Sequence, residues 1–490
     1  MTTKSKLYHV ITILVILMSI VACKTPQATM PKDTLKDSLP ALSKDSSVTI
    51  SPAWREFFQD PMLQTLIETA LQNNQDLKIT LQELAIARSA INAKQAALLP
   101  SVTANIGAGV SKVGRYTAEG AGNVGTEMTP GHKIPTVIPD LSPSLQVDWT
   151  IDLWNKLNSG KKAAVERYLA SEAGQRAIKS QLVADVAENY YLLLALDYKL
   201  SVMQQYISLQ KDAVRIARIQ KEADADTQLA VEKFDAELAK AQADESIVET
   251  ENNLNLLLGR FPQTIQRTKV DFLQLPMPTT AHSLSTQLLL QRPDVIQAEH
   301  QLKAAKWDVE TARKEFLPSF NISAAIGLNA FNPKYLFKLP ESLAFNALGG
   351  LTAPLINKKA IQANFAQADA LQIEALYNYD KTLLTAFIET STLQSKISNI
   401  KLLQQFKQKQ NDALVRAISV AQKLYLNNRA TYLEVIDSER GQLDCKMELI
   451  DAKSQQLSSI SHNFLPAFSS ADLTTYDSLA FLKLFGISPP

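Results

Sequence analysis

A stretch near the start of the chain recurs in its second half at a constant offset of 218 residues and without a gap. In both copies a long segment of mixed polar and apolar residues leads into Leu-Pro-Ser, and an alternating segment follows. The matched positions are Asp76, Leu84, Ala87, Leu99, Pro100, Ser101 and Gly109 with Asp294, Leu302, Ala305, Leu317, Pro318, Ser319 and Gly327. The chain is therefore a tandem duplication, and each half has to supply the same structural unit.

Four segments, two in each half, predict β-strands. They lie at about 100–112, 143–153, 318–329 and 343–354. Apolar and polar residues alternate along them, so each strand has one apolar and one polar face, although the last alternates less cleanly. About ten residues with this pattern suit a strand that crosses a membrane, although the local pattern alone favours the alternative of a half-buried strand of a soluble sandwich.

Long stretches without proline predict two very long helices, at 156–222 and 358–427. Neither proline nor glycine occurs between Pro354 and Gly441. Shorter helices are predicted at 62–97, 226–258, 291–315 and 430–463. The long helices are too polar to lie in lipid and exceed the width of an ordinary globular core, so they indicate long antiparallel coiled coils.

Four strands cannot close into a barrel within one chain. A sheet with open edges in lipid would leave backbone groups unpaired at several kcal/mol each, and bacterial barrels have at least about eight strands. If the strands lie in lipid, the chain has to oligomerise. Three copies predict a 12-stranded transmembrane β-barrel that continues into an α-barrel, in a protein of mainly α class.

The N-terminus predicts a signal peptide over residues 1–22. Two lysines precede an apolar run that is too short to span a membrane as a mature helix. The run ends in Ile-Val-Ala-Cys, which resembles a bacterial lipobox, so Cys23 is predicted to carry lipid, palmitate included. Lys24 favours sorting to the outer membrane, and residues 23–53 predict an extended tether. An ordinary signal peptide with an incidental cysteine is the alternative.

Composition and motifs argue against several functions. The formal net charge of +1 offers no basic field for nucleic acid. The five histidines have no metal-ligand spacing, and the chain contains neither a phosphate-binding glycine loop nor a nucleophile elbow. The sequence therefore predicts no enzymatic activity, no cofactor and no metal site.

Several motifs carry a resemblance to a known family. They are 54–60 (WREFFQD), the two Leu-Pro-Ser motifs, 147–154 (VDWTIDLW), 256–262 (LLLGRFP), 292–294 (RPD) and 432–440 (YLEVIDSER). From about Trp54 to about Pro466 the chain resembles the TolC-like outer-membrane efflux factors, in the lipoprotein branch that includes OprM. The resemblance implies a homotrimer in the cell outer membrane that serves as a passive exit duct. Its implied partners are a periplasmic adaptor and an inner-membrane transporter of the RND type.

The resemblance also implies a domain organisation. The first repeat spans 54–258, an inter-repeat linker spans 259–290, and the second repeat spans 291–466. A tail at 467–490 follows, in which the family's usual closing segment is not recognisable.

A periplasmic gate is implied just after the turn near residue 428. Leu433, Glu434, Asp437 and Arg440 match the positions at which the family places its constricting side chains. Leu433, Asp437 and Arg440 follow at spacings of four and three, so they share one helix face, which would meet itself around a threefold axis. The alternative is that Asp437 and Arg440 form an exposed ion pair on one helix.

A different class of function also fits parts of the pattern. A lipid-tethered periplasmic coiled-coil adaptor or structural protein without a pore would use the same long helices. Such a protein has no evident need for a duplicated pair of hairpins or for apolar alternation on outward strand faces.

Overall fold

The computed structural model describes residues 26–28, 54–220, 223–268, 270–277, 289–353 and 358–463. The helices are α1 (Trp54–Phe57), α2 (Pro61–Asn73), α3 (Gln75–Ala96), α4 (Ala118–Gly125), α5 (Lys156–Gln220), α6 (Ala223–Leu257), α7 (Pro293–Lys314), α8 (Pro333–Leu336), α9 (Lys358–Leu426) and α10 (Tyr432–Asn463). The strands are β1 (Ser101–Ser111), β2 (Glu127–Thr129), β3 (His132–Lys133), β4 (Ile138–Ile151), β5 (Ser319–Leu328) and β6 (Leu343–Thr352).

The chain divides into two compact units. We call the first the strand unit; its described residues lie mainly within Ile86–Tyr168 and Gln301–Leu376. The second, the helical unit, has its described residues within 54–85, Leu169–His300 and 377–463.

The predicted long helices and the four long strands are all present. Helix α5 has 65 residues and α9 has 69, close to the predicted bounds. One prediction was too simple, because the helix expected over 62–97 is interrupted at Asn74. The Asn74 Oδ1 accepts a hydrogen bond from the Leu77 backbone at 2.9 Å, and its Nδ2 donates to the carbonyl of Leu257 at 3.0 Å. An asparagine side chain that bonds to the backbone competes with the helical ladder, and here it starts a new helix.

The strand unit is built on one antiparallel sheet in the order β1-β4-β5-β6. Its register aligns the apolar positions of all four strands on one face. The cross-strand rows are Val102-Val147-Ala324-Ala347, Ala104-Leu145-Ile326-Phe345, Trp149-Ile322-Gly349 and Ile151-Phe320-Leu351. The opposite face is mostly polar, and there Thr150 Oγ1 donates to Asn321 Oδ1 at 2.8 Å.

Both edges of this sheet are open within the described residues. Strands β1 and β6 each pair on one side only. Large apolar side chains on these edge strands are solvent-exposed in the single chain, with Ile106 at 90% and Phe345 at 78%. Among the described residues of one copy, the backbone groups at both sheet edges therefore have no strand partner, and apolar side chains of the sheet are exposed to solvent.

Two tryptophans at and just after β4 donate to backbone carbonyls in, or directly before, the duplicated Leu-Pro-Ser motifs. The Trp149 Nε1 donates to the carbonyl of Leu98 at 3.0 Å, and the Trp154 Nε1 donates to the carbonyl of Pro318 at 2.7 Å. Between them, Asp152 accepts from the backbone of Leu157 and Asn158 at the start of α5. The Asp-Trp-Thr-Ile-Asp-Leu-Trp segment therefore contacts the helix-to-strand junctions of both repeats and the strand-to-helix junction of the first.

The segment between β1 and β4 contains short elements of its own. Helix α4 begins after Thr117, whose Oγ1 accepts from the Gly120 backbone at 3.1 Å. Strands β2 and β3 form a small hairpin. Tyr116 is fully exposed, in keeping with a surface position.

The helical unit has one large apolar core, in which side chains from α1, α2, α5, α6, α10 and the inter-repeat segment meet. Its most buried members include Phe58, Leu63, Ile67, Tyr190, Leu193, Leu254, Leu258, Ile265 and Phe272. Arg267 joins the inter-repeat segment to two helices, since its guanidinium bonds to Asp197 on α5 and to Glu251 on α6. Among the described residues, no helix combines the length and the apolar composition that a membrane-spanning helix requires.

Candidate functional site

The turn between α9 and α10 reverses the chain within five residues. Asn428 has a left-handed backbone with φ of 59°. The Asn428 N–H donates to the carbonyl of Tyr425, and the Arg429 N–H donates to that of Leu424, both at 2.9 Å. This is the Schellman pattern that ends a helix, and asparagine tolerates its left-handed position. The rings of Tyr425 and Tyr432 pack across the turn with centroids 5.0 Å apart.

Glu434 has a local structural role at the start of α10. Its Oε1 accepts from the backbone N–H of Thr431 at 3.4 Å. The Thr-x-x-Glu spacing is that of a capping box, in which the glutamate reaches back to the residue that caps the helix. The sequence contains this signal, and reasoning from the family positions alone missed it.

The predicted gate residues lie together at this end of α10. Glu434, Asp437 and Arg440 are exposed and Leu433 is half-buried, whereas Val435 and Ile436 are buried. The exposed positions continue along the helix at Asp444, Glu448 and Asp451, which produces a mostly acidic stripe.

Some charges on this stripe are neutralised within the chain and some are not. Glu448 pairs with Lys407 of α9, and Asp451 pairs with Lys199 of α5. No hydrogen bond or ion pair joins Asp437 to Arg440 in the part of the chain that the structure describes. The exposed intrahelical pair considered above is therefore not formed.

Arg440 lies beside a groove of about 250 Å³ between three helices. The groove is lined by Met203 and Tyr206 of α5, Asp235, Ala236 and Ala239 of α6, and Arg440, Leu443, Asp444 and Met447 of α10. Two aspartates, Asp235 and Asp444, thus line the same groove as Arg440.

Of the two cysteines, only Cys445 lies within the described residues. Cys23, the predicted lipidation site, lies outside the described residues. Cys445 is buried on α10, where its Sγ donates to the carbonyl of Lys407 at 3.4 Å. Burial raises the pKa of the Cys445 thiol, which disfavours the reactive thiolate.

The sequence model of the family described as "Outer membrane efflux protein" matches residues 66–260 and 284–461, which is most of the chain and includes both repeats. The chain belongs to this family. Its members are channels rather than enzymes, so the protein is a non-enzymatic outer-membrane channel of an efflux system. The family match decides for the channel over the tethered coiled coil without a pore.

Individual relatives agree with this assignment. The chain is 27% identical over 416 residues to the cation efflux system protein CusC of Escherichia coli, covering 83% of this chain and 87% of CusC. It is 27% identical over 396 residues to the pyoverdine export outer membrane protein OpmQ of Pseudomonas aeruginosa, covering 79% and 81%. A crystal structure of CusC superposes with a TM-score of 0.77 over 91% of this efflux channel and 100% of that chain, at 23% identity, and shows the same fold.

Proposed function

We propose that three copies of this efflux channel close their four-stranded sheets into a 12-stranded barrel in the outer membrane. The observation that carries the proposal is the sheet of the strand unit, which has one continuous apolar face and two unpaired edges. Pairing the β1 edge of one copy with the β6 edge of the next would satisfy the free backbone groups of both. The apolar face would then point towards lipid.

Three copies meet two requirements, a closed barrel in the bilayer and an interior wide enough to hold water. One copy has too few strands to close, and two copies give eight strands, which leave room for little more than side chains. Twelve strands enclose a wider, water-filled interior, as a duct requires. The polar face of the sheet, with Thr150 and Asn321 among its members, would line that interior.

The experiment is a mass measurement of the detergent-purified channel, combined with conductance in planar bilayers. We expect three chains per particle and an ohmic pore. A strictly monomeric particle would contradict the proposal. Extraction provides a second test, because the Cys23→Ala variant should still require detergent if the strands themselves lie in lipid.

The proposed assembly extends to the membrane anchor and to partners. We infer that residues 1–22 are removed and that the Cys23 thiol is acylated, so that 23–53 tethers the folded body to the membrane. A periplasmic adaptor and an inner-membrane transporter of the RND type would supply cargo and energy, since a duct has neither. The predicted repeat boundaries at 54–258 and 291–466 belong to the same proposal.

The proposed constriction lies at the N-terminal end of α10. Around a threefold axis the exposed side chains of Asp437 would form a ring of like charges, which is costly unless cations or the Arg440 guanidinium of a neighbouring copy neutralise them. Among the described residues no ion pair joins Asp437 to Arg440, which leaves a contact between Asp437 of one copy and Arg440 of the next as the proposed link. Leu433 would add an apolar collar, and Glu434 would hold the helix start in place through its cap on Thr431.

A further inference from the structure

Two carboxylates and one imidazole converge in the helical unit, at the opposite end of α10 from the proposed constriction. Asp185 and Glu188 lie three residues apart on α5, and His462 lies in the last turn of α10. One potential ligand atom from each side chain lies within 4.8 Å of the other two. All three residues are half-buried.

The cluster is held by hydrogen bonds that also orient its donor atoms. The Glu188 Oε2 lies 2.8 Å from His462 Nε2, and Glu188 Oε1 accepts from Ser458 Oγ at 2.6 Å. Asp185 Oδ1 accepts from Gln181 Nε2 at 2.6 Å. In metal sites the ligating side chains are commonly fixed by outer partners of this kind, which limit the entropy lost when an ion binds.

Charge within the cluster favours a cation. Burial, with the nearby charge of Glu188, raises the pKa of the Asp185 carboxyl. The 2.8 Å hydrogen bond between Glu188 Oε2 and His462 Nε2 places a proton between these two side chains. A divalent ion in place of that proton would neutralise both carboxylates at once.

We propose that Asp185, Glu188 and His462 form a binding site for a divalent transition-metal ion of the Zn²⁺ class. One imidazole nitrogen and two carboxylate oxygens are ligands that Zn²⁺ accepts at about 2.0–2.2 Å, with water as the fourth ligand. The donor set contains no sulfur, which disfavours soft monovalent ions.

The ion would fasten the C-terminal end of α10 to the middle of α5. The chain continues beyond α10 for more than 25 residues, so the site secures the last described helix at the point from which that segment departs. Lys396 of α9 opposes the binding of a cation, because its charge acts on both Glu188 and His462. Removing this lysine should therefore tighten binding.

The test uses the full-length channel in detergent without a polyhistidine tag, dialysed against Zn²⁺ and analysed for bound metal. We expect one zinc per chain, a higher thermal midpoint with Zn²⁺ than with EDTA, and the visible absorption of tetrahedral Co²⁺ when cobalt is substituted. His462→Gln and Glu188→Gln should lose the bound metal, and Lys396→Met should retain it more tightly.

Two further variants keep the result interpretable. His132→Gln, which removes an exposed histidine in the strand unit, should bind zinc as the unmodified channel does. Asp185→Asn leaves the Glu188–His462 contact in place, so it should fold normally and still lose affinity at least tenfold. The proposal is overturned if the unmodified channel binds no zinc, or if Asp185→Asn and His462→Gln bind it as tightly as His132→Gln.

Discussion

The phenolic hydroxyl of Tyr190 donates to the Asp60 Oδ2 at 2.7 Å, while the other carboxylate oxygen of Asp60 accepts from the Met62 backbone at 2.8 Å. One aspartate thus caps α2 and anchors it to the fully buried ring of Tyr190 on α5. Burial and the bond to Asp60 raise the pKa of Tyr190, so it stays a neutral donor. The junction connects the start of the first repeat to the central core.

Removing either partner of this junction should destabilise the helical unit. We expect Tyr190→Phe to cost about 1.5 kcal/mol, because it removes a hydrogen bond to a charged group. Asp60→Ala should cost about 2 kcal/mol through the lost helix cap and the lost anchor. A double-mutant cycle on chemical unfolding should give a coupling energy near 1 kcal/mol, and strict additivity would contradict the shared role.

Arg267 should be the most sensitive charged residue of the inter-repeat segment. Its guanidinium is mostly buried between Asp197 and Glu251, and these carboxylates raise the arginine pKa further above its ordinary value. Arg267→Ala leaves Glu251 as an unpaired, largely buried charge, so we expect a loss of about 3 kcal/mol in the free energy of unfolding. Arg267→Lys should recover only part of it, because lysine cannot bond bidentately. Equal stability of Arg267→Ala and the unmodified channel would refute this.

Gly259 should not accept a side chain. It ends α6 with φ of +65°, in a Schellman motif closed by the bond from the Arg260 N–H to the carbonyl of Asn255. A Cβ there would lie 2.4 Å from the carbonyl oxygen of Asn73. We expect Gly259→Ala to cost about 1–3 kcal/mol, measured by the thermal midpoint. The matched control is Gly441→Ala, which lies within α10 in ordinary contact distance and should be neutral or stabilising.

The Glu188–His462 contact should make stability depend on pH in a defined window. The pKa of His462 is raised by Glu188, so its contribution is complete below the ordinary value of 6.5 and is lost as the pH rises through the higher folded value. The pKa of Glu188 is lowered by His462, so its contribution is complete above 4.5 and is lost as the pH falls through the lower folded value. Burial raises the pKa of Asp185, so protonation of Asp185 in acid stabilises the folded protein and offsets part of the stability lost at Glu188.

We therefore expect the thermal midpoint in EDTA to fall above about pH 6.5. The fall should be less steep in high salt, because the Glu188 side chain is 40% exposed and salt screens its charge. His462→Gln should flatten this fall. Lys396, on the neighbouring helix α9, lowers the pKa of both groups, so Lys396→Met should move the fall to higher pH. An unchanged pH profile in His462→Gln would show that the contact does not contribute.

The proposed constriction predicts a change in conductance. Asp437→Ala combined with Arg440→Ala should raise the single-channel conductance of the purified channel in bilayers, since it removes the charges that would link neighbouring copies. The control is Asp444→Ala, one further turn along the same acidic stripe, which should change conductance less. If the double variant conducts as the unmodified channel does, Asp437 and Arg440 are not part of the gate.

Periodicity was enough to predict most of the fold. Alternation located the four strands, the absence of proline located α5, and the absence of both proline and glycine located α9, because these patterns reflect a local choice between periods of 2 and 3.6 residues. The break at Asn74 was missed, since it depends on a side chain that reaches the carbonyl of Leu257 at the end of α6. The cap of Glu434 on Thr431 lies within one turn and could have been found from the capping-box spacing.

The sequence by itself determined the duplicated architecture, the apolar face of each strand and the family, because these depend on short-range patterns and on motifs that remain in order along the chain. Only the tertiary structure decided which distant side chains meet. Trp154 reaches Pro318, Arg267 joins Asp197 to Glu251, and His462 meets Glu188 across 274 residues. Such contacts depend on how helices and strands pack in three dimensions, and no local periodicity encodes the distance between residues that lie far apart in the chain.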